Sequence, residues 1–303
     1  MNCHCEEPRS IGATWQSSAG LLRYARNDTS ENLQDVRQTN EYASFMGKLG
    51  WKIEIFGKTK IFVKKFLFFN IVKILRSSEL IDSKKIKNKY QPLKLVIQPF
   101  GCKAKPCNSP LVPTKTIWIN LAKSEKKLLQ DLKQKTRYNL KQAQKNNLKL
   151  KIISGDKISP QELQDFFNLW QKNKPFDWFF KPSFFELKSL IESFGQRCFF
   201  VLMYPCHPST TLGMTNSELL ASCLILTSDN MAFYWHNCSN KQAKKLFAPT
   251  FAVWEAIKES KKRNLKVFDL EGIWDERLPK VNLGWKGFTR FKEGFGGKPI
   301  NFS

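Results

Sequence analysis

The sequence lacks the patterns that mark several common protein classes. Its longest apolar run, residues 61–75, is interrupted by three lysines and is shorter than the roughly 20 apolar residues that a membrane-spanning helix needs. The N-terminus shows no basic-then-apolar signal pattern. A phosphate-binding loop, a dinucleotide fingerprint and a Ser/His/Asp nucleophile elbow are also missing. We therefore expect no transmembrane helix and none of the enzyme classes that those motifs define.

Cysteine is present, but not in the spacing of a disulfide scaffold or a zinc site. The chain has 8 cysteines in 303 residues, too few for a disulfide framework. Three of them lie in apolar or strand-like runs, where a thiol behaves as a small hydrophobe: Cys198, Cys223 and Cys238. Cys102 and Cys107 have no second pair at zinc spacing. Cys3-His4-Cys5 could in principle hold a metal, although structural zinc needs four ligands and usually a wider spacing. These features predict a reducing, cytoplasmic compartment and no bound metal.

Acidic residues are scarce compared with basic ones. The 50 Lys and Arg residues outnumber 26 Asp and Glu residues, which gives a formal net charge of +24. A field of this sign favours polyanions, whether RNA, a nucleotide-linked precursor or an anionic lipid surface, and does not choose among them. AT-rich codon usage, which also yields Lys, Asn, Ile and Phe, would account for part of the charge.

The order of predicted elements indicates a mixed α/β fold. Strands are predicted at residues 51–56, 61–67, 93–99, 116–121, 148–153, 198–204, 219–227, 231–238 and 266–270. Helices are predicted from Ser124 to about residue 146, and over 159–170, 182–193 and 243–263. We expect a first domain over residues 41–155 and a second over 156–303. Residues 1–40 are expected to be disordered, or to come from a start codon placed too far upstream.

A basic stripe follows the predicted helix that begins at Ser124. Its members recur every four residues: Lys133, Arg137, Lys141, Lys145 and Lys149. Such a stripe could follow the phosphates of a nucleic acid, and it could equally be an ordinary solvated helix face.

The C-terminal run, residues 285–297, combines three cations with aromatic rings and four glycines. Glycine allows a backbone to approach a ligand closely, and the cations suit an anionic or polar transition state. The alternative interpretation is a tight, Gly-rich terminal strand and turn.

Several further polar residues are candidates for the same chemistry. Four acids lie at or just past the predicted strand 266–270, where they could orient an amine or act as a base, or could be solvated loop acids: Asp269, Glu271, Asp275 and Glu276. Tyr234 and His236 point to one face of a predicted strand, where His236 could also be a satisfied core or rim histidine.

Several segments together resemble the FemA/FemB/FemX family, non-ribosomal peptidyltransferases that build peptidoglycan side branches from aminoacyl-tRNA. In chain order these segments are residues 116–121, 135–143, 234–239, 246–257, 268–273 and, as the most specific, 291–297. The resemblance covers about residues 41–303. It implies two tandem GNAT-like acyltransferase domains without the coiled-coil arm of some members, since no extended heptad run is present.

The resemblance also implies roles for individual residues. In the family, the lysine of a Phe-Lys motif is the residue most tied to catalysis, and the motif maps onto Phe291 and Lys292. The residues that the resemblance and the basic stripe place at substrates are Lys181, Phe185, Tyr234, His236, Arg137 and Asp269. Three positions depart from the family pattern, because Phe185 lacks a hydroxyl, His236 replaces a tyrosine, and Gln98 replaces an acid and so is no general base.

The sequence also limits which acyl donor the protein can use. Coenzyme A users of the GNAT fold need a Gly-rich pyrophosphate loop before the helix that follows the central strands, and residues 239–245 contain no glycine there. The expected function is therefore transfer of an amino acid from aminoacyl-tRNA to the stem peptide of a nucleotide- or lipid-linked peptidoglycan precursor, without a cofactor. We expect a cytoplasmic monomer with peripheral contact at the inner face of the membrane. Two alternatives stay open: an acyltransferase with another donor acting on a polysaccharide or lipid amine, and a non-catalytic RNA-binding or membrane-surface protein.

Overall fold

The computed structural model describes residues 33–79, 81–100, 110–146, 148–173, 183–206 and 218–302. These residues form two compact units. The first comprises the chain up to Thr116 together with residues 272–289 and 299–303, and the second comprises residues 117–271 and 290–298. The boundary predicted between residues 155 and 156 thus falls inside the second unit, and the predicted pair of domains on either side of it stays a prediction.

Ordered structure begins before residue 41. Residues Val36–Gln38 form a buried 3-10 helix, and the Asp35 carboxylate accepts a hydrogen bond from the backbone N–H of Arg37. The predicted disorder of residues 1–40 is therefore wrong for residues 35–40, because burial and capping order them. Residues 1–32 lie outside the described part of the chain.

The first unit contains a four-stranded mixed sheet of β1 (Lys52–Phe56), β2 (Thr59–Phe66), β3 (Phe69–Leu75) and β4 (Pro92–Gln98), in that order. The β1–β2 and β2–β3 pairs are antiparallel, and the β3–β4 pair is parallel. Two helices accompany it, α1 (Asn40–Lys48) and α2 (Ser83–Tyr90), capped by the side chains of Thr39 and Asp82. Helix α2 packs on the sheet through Ile86 and Tyr90, which join a core of strand residues: Ile61, Val63, Val72 and Ile74.

In the first unit, the sequence prediction missed α1, β3 and α2. The apolar run 61–75 folds as a hairpin, with Phe66 paired to Phe69 across the two-residue loop Leu67-Phe68. Leu67 has φ of 53°, a conformation that usually calls for glycine or asparagine in such loops. The end of the first strand was predicted to within one residue, but the loop carries no turn residue, so the pattern does not mark residues 69–75 as a second strand.

The second sheet has seven strands in the order β11-β5-β10-β9-β8-β7-β6. Its strands are β5 (Lys115–Asn120), β6 (Lys149–Ser154), β7 (Cys198–Tyr204), β8 (Ala221–Thr227), β9 (Met231–Ser239), β10 (Val267–Asp269) and β11 (Lys298–Asn301). The predicted β8–β9 hairpin is confirmed, and β10 runs parallel to β9 and antiparallel to β5. Both sheets mix parallel and antiparallel pairs, so the predicted mixed α/β class is confirmed.

Seven α-helices of the described chain follow β5. They are α3 (Glu125–Asp131), α4 (Gln134–Lys145), α5 (Pro160–Asn173), α6 (Phe184–Phe194), α7 (Lys241–Lys245), α8 (Ala248–Lys262) and α9 (Lys286–Glu293). The longest described helix, α8, has 15 residues, so no coiled-coil arm is present in the part of the chain that the structure describes. None of the described helices is long and apolar enough to cross a bilayer.

The single helix predicted from Ser124 is wrong. Ser124 caps α3 as expected, but Leu132 and Lys133 are extended and separate α3 from α4. Arg137 closes the break, since its Nη1 donates to the carbonyls of Gln130, at 2.8 Å, and Leu132. The basic stripe is shorter than predicted, because Lys133 precedes α4 and residue 149 lies on β6. The predicted helix 243–263 is likewise divided into α7 and α8.

Candidate active site

Lys292 lies in the last turn of α9 and is almost fully buried. Burial lowers the pKa of its ammonium from 10.5 to about 8, while the carboxylates of Glu271 and Asp269 act in the opposite direction. A lysine in this state is mostly charged at neutral pH, yet it can exchange a proton close to that pH.

An aromatic ring faces the ammonium. The Nζ atom of Lys292 lies 5.7 Å from the centroid of the Tyr234 ring on β9, within the range of a cation–π interaction. Burial raises the pKa of the Tyr234 hydroxyl well above 10, and the nearby Cys223 and Cys238 thiols act in the same direction. The phenol is therefore neutral at physiological pH and remains a hydrogen-bond donor.

Asp269 supplies buried negative charge at the end of β10. Its Oδ2 accepts a hydrogen bond from the indole Nε1 of Trp118, at 2.9 Å, and its Oδ1 accepts one from the backbone N–H of Glu271, at 2.6 Å. Glu271 has φ of 57°, so the chain turns sharply directly after the strand. These bonds fix the carboxylate near the ammonium of Lys292, and the arrangement joins one cation, one neutral phenol and one oriented acid.

The glycines after Lys292 serve the protein's own packing. Gly296 and Gly297 have φ of 74° and 87°, and a Cβ on them would lie 2.6 Å from the carbonyl oxygens of Asp131 and Trp118, respectively. A Cβ on Gly294 would lie 2.3 Å from the hydroxyl of Thr136. The expectation that these glycines leave room for a ligand is therefore wrong, because backbone and side-chain atoms of this chain fill that room.

The alternative interpretation of residues 285–297 as a Gly-rich terminal strand and turn is wrong for residues 286–293, which form α9, while the Gly-rich segment 294–297 and the terminal strand β11 follow that helix. Aromatic rings at 285, 288, 291 and 295 recur at helical spacing, a signal that was visible in the sequence. Phe291 is half-buried and packs edge-to-face against Phe295, with ring centroids 5.2 Å apart. Phe291 thus helps to hold the turn that follows Lys292.

His236 and Tyr234 contact different partners. The His236 ring stacks on Trp170 of α5, with centroids 4.2 Å apart. The β8–β9 register shifts between Leu224 and Ile225, which pair with His236 and Tyr234. Trp235 is the extra residue of this bulge, so the simple alternation behind the predicted shared face does not apply.

Three other polar candidates form hydrogen bonds or an ion pair within the first unit. Asp275 is buried in the first unit, where burial acts to raise its pKa but hydrogen bonds from Arg277 and Thr114 outweigh that effect and lower it. Glu276 pairs with Lys115. Gln98 is buried and uses its carboxamide to bond the backbone of residues 111–112.

For two of the predicted substrate residues, the structure gives no contact that bears on substrate binding. Phe185 is exposed in the first turn of α6. Lys181 lies outside the described residues. Among the described residues, no cluster of three or more His, Cys, Asp or Glu side chains is arranged to hold a metal ion.

Sequence reasoning missed Trp118, which supports Asp269. A buried tryptophan usually needs a hydrogen-bond partner for its N–H, but nothing in the sequence identifies a partner that lies far along the chain.

The FemAB family model matches residues 213–302 of this chain, a segment that contains Tyr234, Asp269 and Lys292. The FemAB resemblance is confirmed. The fold is similar to that of FemX, whose crystal structure has a TM-score of 0.71 at 12% identity, with 94% of each chain covered. A comparison with curated proteins finds no match.

Two further solved structures share the FemAB-like fold. The C-terminal domain (DUF2156) of a putative lysylphosphatidylglycerol synthetase from Agrobacterium fabrum has a TM-score of 0.58 at 12% identity, covering 94% of this chain and 91% of its own. The L-PGS from Bacillus licheniformis has a TM-score of 0.56 at 12% identity, covering 85% and 84%. At such identities the likeness concerns the fold alone.

Proposed function

We propose that this FemAB-like protein transfers an aminoacyl group from a charged tRNA to an amine on the stem peptide of a peptidoglycan precursor. The observation that carries the proposal is the buried Lys292, whose pKa is lowered to about 8 beside Tyr234 and Asp269. All three residues lie in the segment that matches the FemAB family. A buried cation with a tuned pKa is a costly feature that active sites commonly carry.

In the proposed reaction, the amine of the acceptor attacks the carbonyl carbon of the ester that joins the amino acid to the terminal ribose. A C–N amide bond forms, the ester C–O bond breaks, and the proton lost by the amine ends on the ribose oxygen. Negative charge develops first on the carbonyl oxygen and then on the departing ribose oxygen. Catalysis of such a step depends on positioning and on stabilisation of that charge.

Lys292 is assigned to the stabilisation of this charge. Its ammonium is already stripped of water, so little solvent reorganisation is needed when the oxyanion forms. Since its pKa is about 8, it can also deliver a proton to the ribose oxygen near neutral pH. The ring of Tyr234, which carries no charge, faces the ammonium.

Asp269 is assigned to the orientation of the attacking amine. Its carboxylate is held by Trp118 and by the backbone of Glu271, so it can accept a hydrogen bond from an ammonium or amine in a defined direction. Phe291 supports the turn that places Lys292.

The remaining predicted residues are assigned to the substrates. Arg137 and the neighbouring lysines of α4 are proposed to contact tRNA phosphates. Both described hydrogen bonds of Arg137 use its Nη1 atom, and a guanidinium has five N–H donors, so the group has further donors with which to bind a phosphate. Lys181, Phe185 and His236 are proposed to contact the precursor. We propose further that the protein acts in the cytoplasm as a monomer and without a cofactor. When its acceptor is lipid-linked, it works at the inner face of the membrane.

The test is transfer of radiolabelled amino acids from a bulk charged tRNA pool to nucleotide-linked and lipid-linked precursors. Controls are ribonuclease treatment and two variants, Lys292→Met and the exposed Lys280→Met. We expect label in a precursor, loss of label with ribonuclease and with Lys292→Met, and near-normal transfer with Lys280→Met.

The same assay separates the alternatives. Transfer that resists ribonuclease would indicate a different acyl donor. Binding of RNA by both wild type and Lys292→Met, with no transfer by either folded protein, would indicate a non-catalytic role and overturn the proposal.

A further inference from the structure

The most exposed large apolar side chain of the described structure, Phe68, lies at the tip of the β2–β3 hairpin together with three other exposed apolar residues. Phe68 is 92% exposed, Leu67 72% and Phe66 62%, and Phe69 completes the tip. Leu93, at the start of β4, is also exposed and lies at the same end of the sheet, because Asn70 pairs with Pro92. Single exposed apolar residues are ordinary, but a contiguous group of this kind marks an interaction site.

The backbone conformation of the tip indicates that its apolar side chains are not there for local folding. A two-residue hairpin loop with positive φ favours glycine or asparagine, yet it is occupied by Leu67 and Phe68. Leucine in this conformation is strained. The apolar side chains therefore stand at a position that local folding alone would give to other residues.

The charge around the tip has one sign. The two strands of the hairpin carry Lys64, Lys65 and Lys73 between residues 62 and 75, and no acidic side chain there. Lys65 is exposed next to Phe66, and Lys94 is exposed on the neighbouring strand. The pKa of Lys73 is lowered mainly by burial and further by the positive charges of Lys94 and Lys64, which shows that these cations lie close together.

One acid does lie near this surface. Glu54 of β1 pairs with Lys52 and Lys89 at 3.0 and 2.7 Å and accepts a hydrogen bond from Tyr90. The two positive charges of these lysines exceed the single negative charge of Glu54, so the net charge of the surface stays positive. Trp51 also lies here, with the ammonium of Lys73 4.3 Å from its ring centroid.

We propose that the tip formed by Phe66–Phe69 docks on an anionic phospholipid bilayer. The aromatic and aliphatic side chains enter the boundary between headgroups and acyl chains, while the lysines around them contact the anionic headgroups. Apolar side chains ringed by lysines fit this surface in both polarity and charge. The inference goes beyond the proposed reaction and does not depend on it, since docking requires neither tRNA nor acceptor.

The first experiment is co-sedimentation of the full chain with vesicles of phosphatidylglycerol and phosphatidylcholine, compared with pure phosphatidylcholine. We expect binding to the anionic vesicles only, and weaker binding as salt is raised. Phe68→Ser should weaken binding about tenfold or more, since the phenyl ring loses its apolar environment.

The matched control is Ile55→Ser. Ile55 is 72% exposed, as Leu67 is, but it pairs with Lys60 near the opposite end of β2. This variant should bind within about twofold of wild type. Because both altered side chains are exposed, both variants should fold, which circular dichroism verifies.

Three outcomes would overturn the proposal. They are no binding of wild type to anionic vesicles, equal loss of binding in Phe68→Ser and Ile55→Ser, and a change in oligomeric state with Phe68→Ser in the absence of lipid. The last result would show that the tip covers a second copy of the chain. A negative transfer assay together with normal vesicle binding would count against the proposed reaction alone.

Discussion

Replacing Lys292 by methionine should stabilise the protein at neutral pH. An ordinary lysine has a pKa of 10.5, and burial lowers that of Lys292 to about 8. This difference corresponds to a penalty of about 3 kcal/mol for holding the charged form in the folded state. Methionine has a similar length and no charge, so it removes the penalty and keeps most of the packing.

The sign of the pH dependence follows from the two pKa values. Between about pH 8 and 10.5, the unfolded chain keeps the proton of Lys292 and the folded chain has released it. The free energy of unfolding of the wild type therefore rises with pH in this window. The advantage of Lys292→Met should be largest below pH 8, about 3 kcal/mol, and should vanish above about pH 10.5.

Urea unfolding of both proteins at pH 7 and pH 10.5 measures this difference, provided that the m-values agree. The exposed Lys280→Met variant is the control and should differ from wild type by less than about 0.5 kcal/mol at either pH. A Lys292→Met protein that is less stable than wild type at pH 7 would refute the reasoning. It would show that the contacts of the ammonium outweigh the cost of its burial.

Further predictions concern the chemistry and the packing of the site. Transfer should fall about tenfold per pH unit above about pH 8 as Lys292 loses its proton; a kcat profile that stays flat to pH 10 would contradict the assigned role. Trp118→Phe removes a donor from buried Asp269 and should cost about 1–3 kcal/mol in urea unfolding and lower kcat; unchanged values of both would show that the bond is dispensable. Gly297→Ala, with positive φ and a Cβ 2.6 Å from a carbonyl oxygen, should destabilise by more than about 1 kcal/mol. The open helical position of Gly287 makes the matched comparison, since Gly287→Ala should be neutral or stabilising by up to about 1 kcal/mol.

The sequence predicted correctly those elements that short stretches of neighbouring residues define. The β8–β9 hairpin and the cap at Ser124 are examples. The break between α3 and α4 could not be predicted, because the spacing of Leu128, Leu132 and Thr136 continues through it. It is stabilised by distant partners, as the backbone N–H of Lys133 donates to the carbonyl of Gly294 at 2.9 Å.

The candidate residues could be named from the sequence, whereas their environment could not. The Phe-Lys motif pointed to Lys292, and the strand end pointed to Asp269. The burial that lowers the pKa of Lys292, and the bond from Trp118 to Asp269, depend on segments far apart in the chain. Packing of this kind has no local signature, so it appears only in the folded structure.

The loop at the β2–β3 tip also bears on how this sequence can drift. Leu67 occupies a backbone conformation that glycine or asparagine would adopt at lower free energy. Random substitution with selection for folding alone would thus replace the apolar pair with turn residues. If related proteins keep Leu and Phe at these two loop positions, selection acts on the contact that the tip makes. A related protein that no longer makes this contact should carry turn residues such as Asn-Gly in the loop.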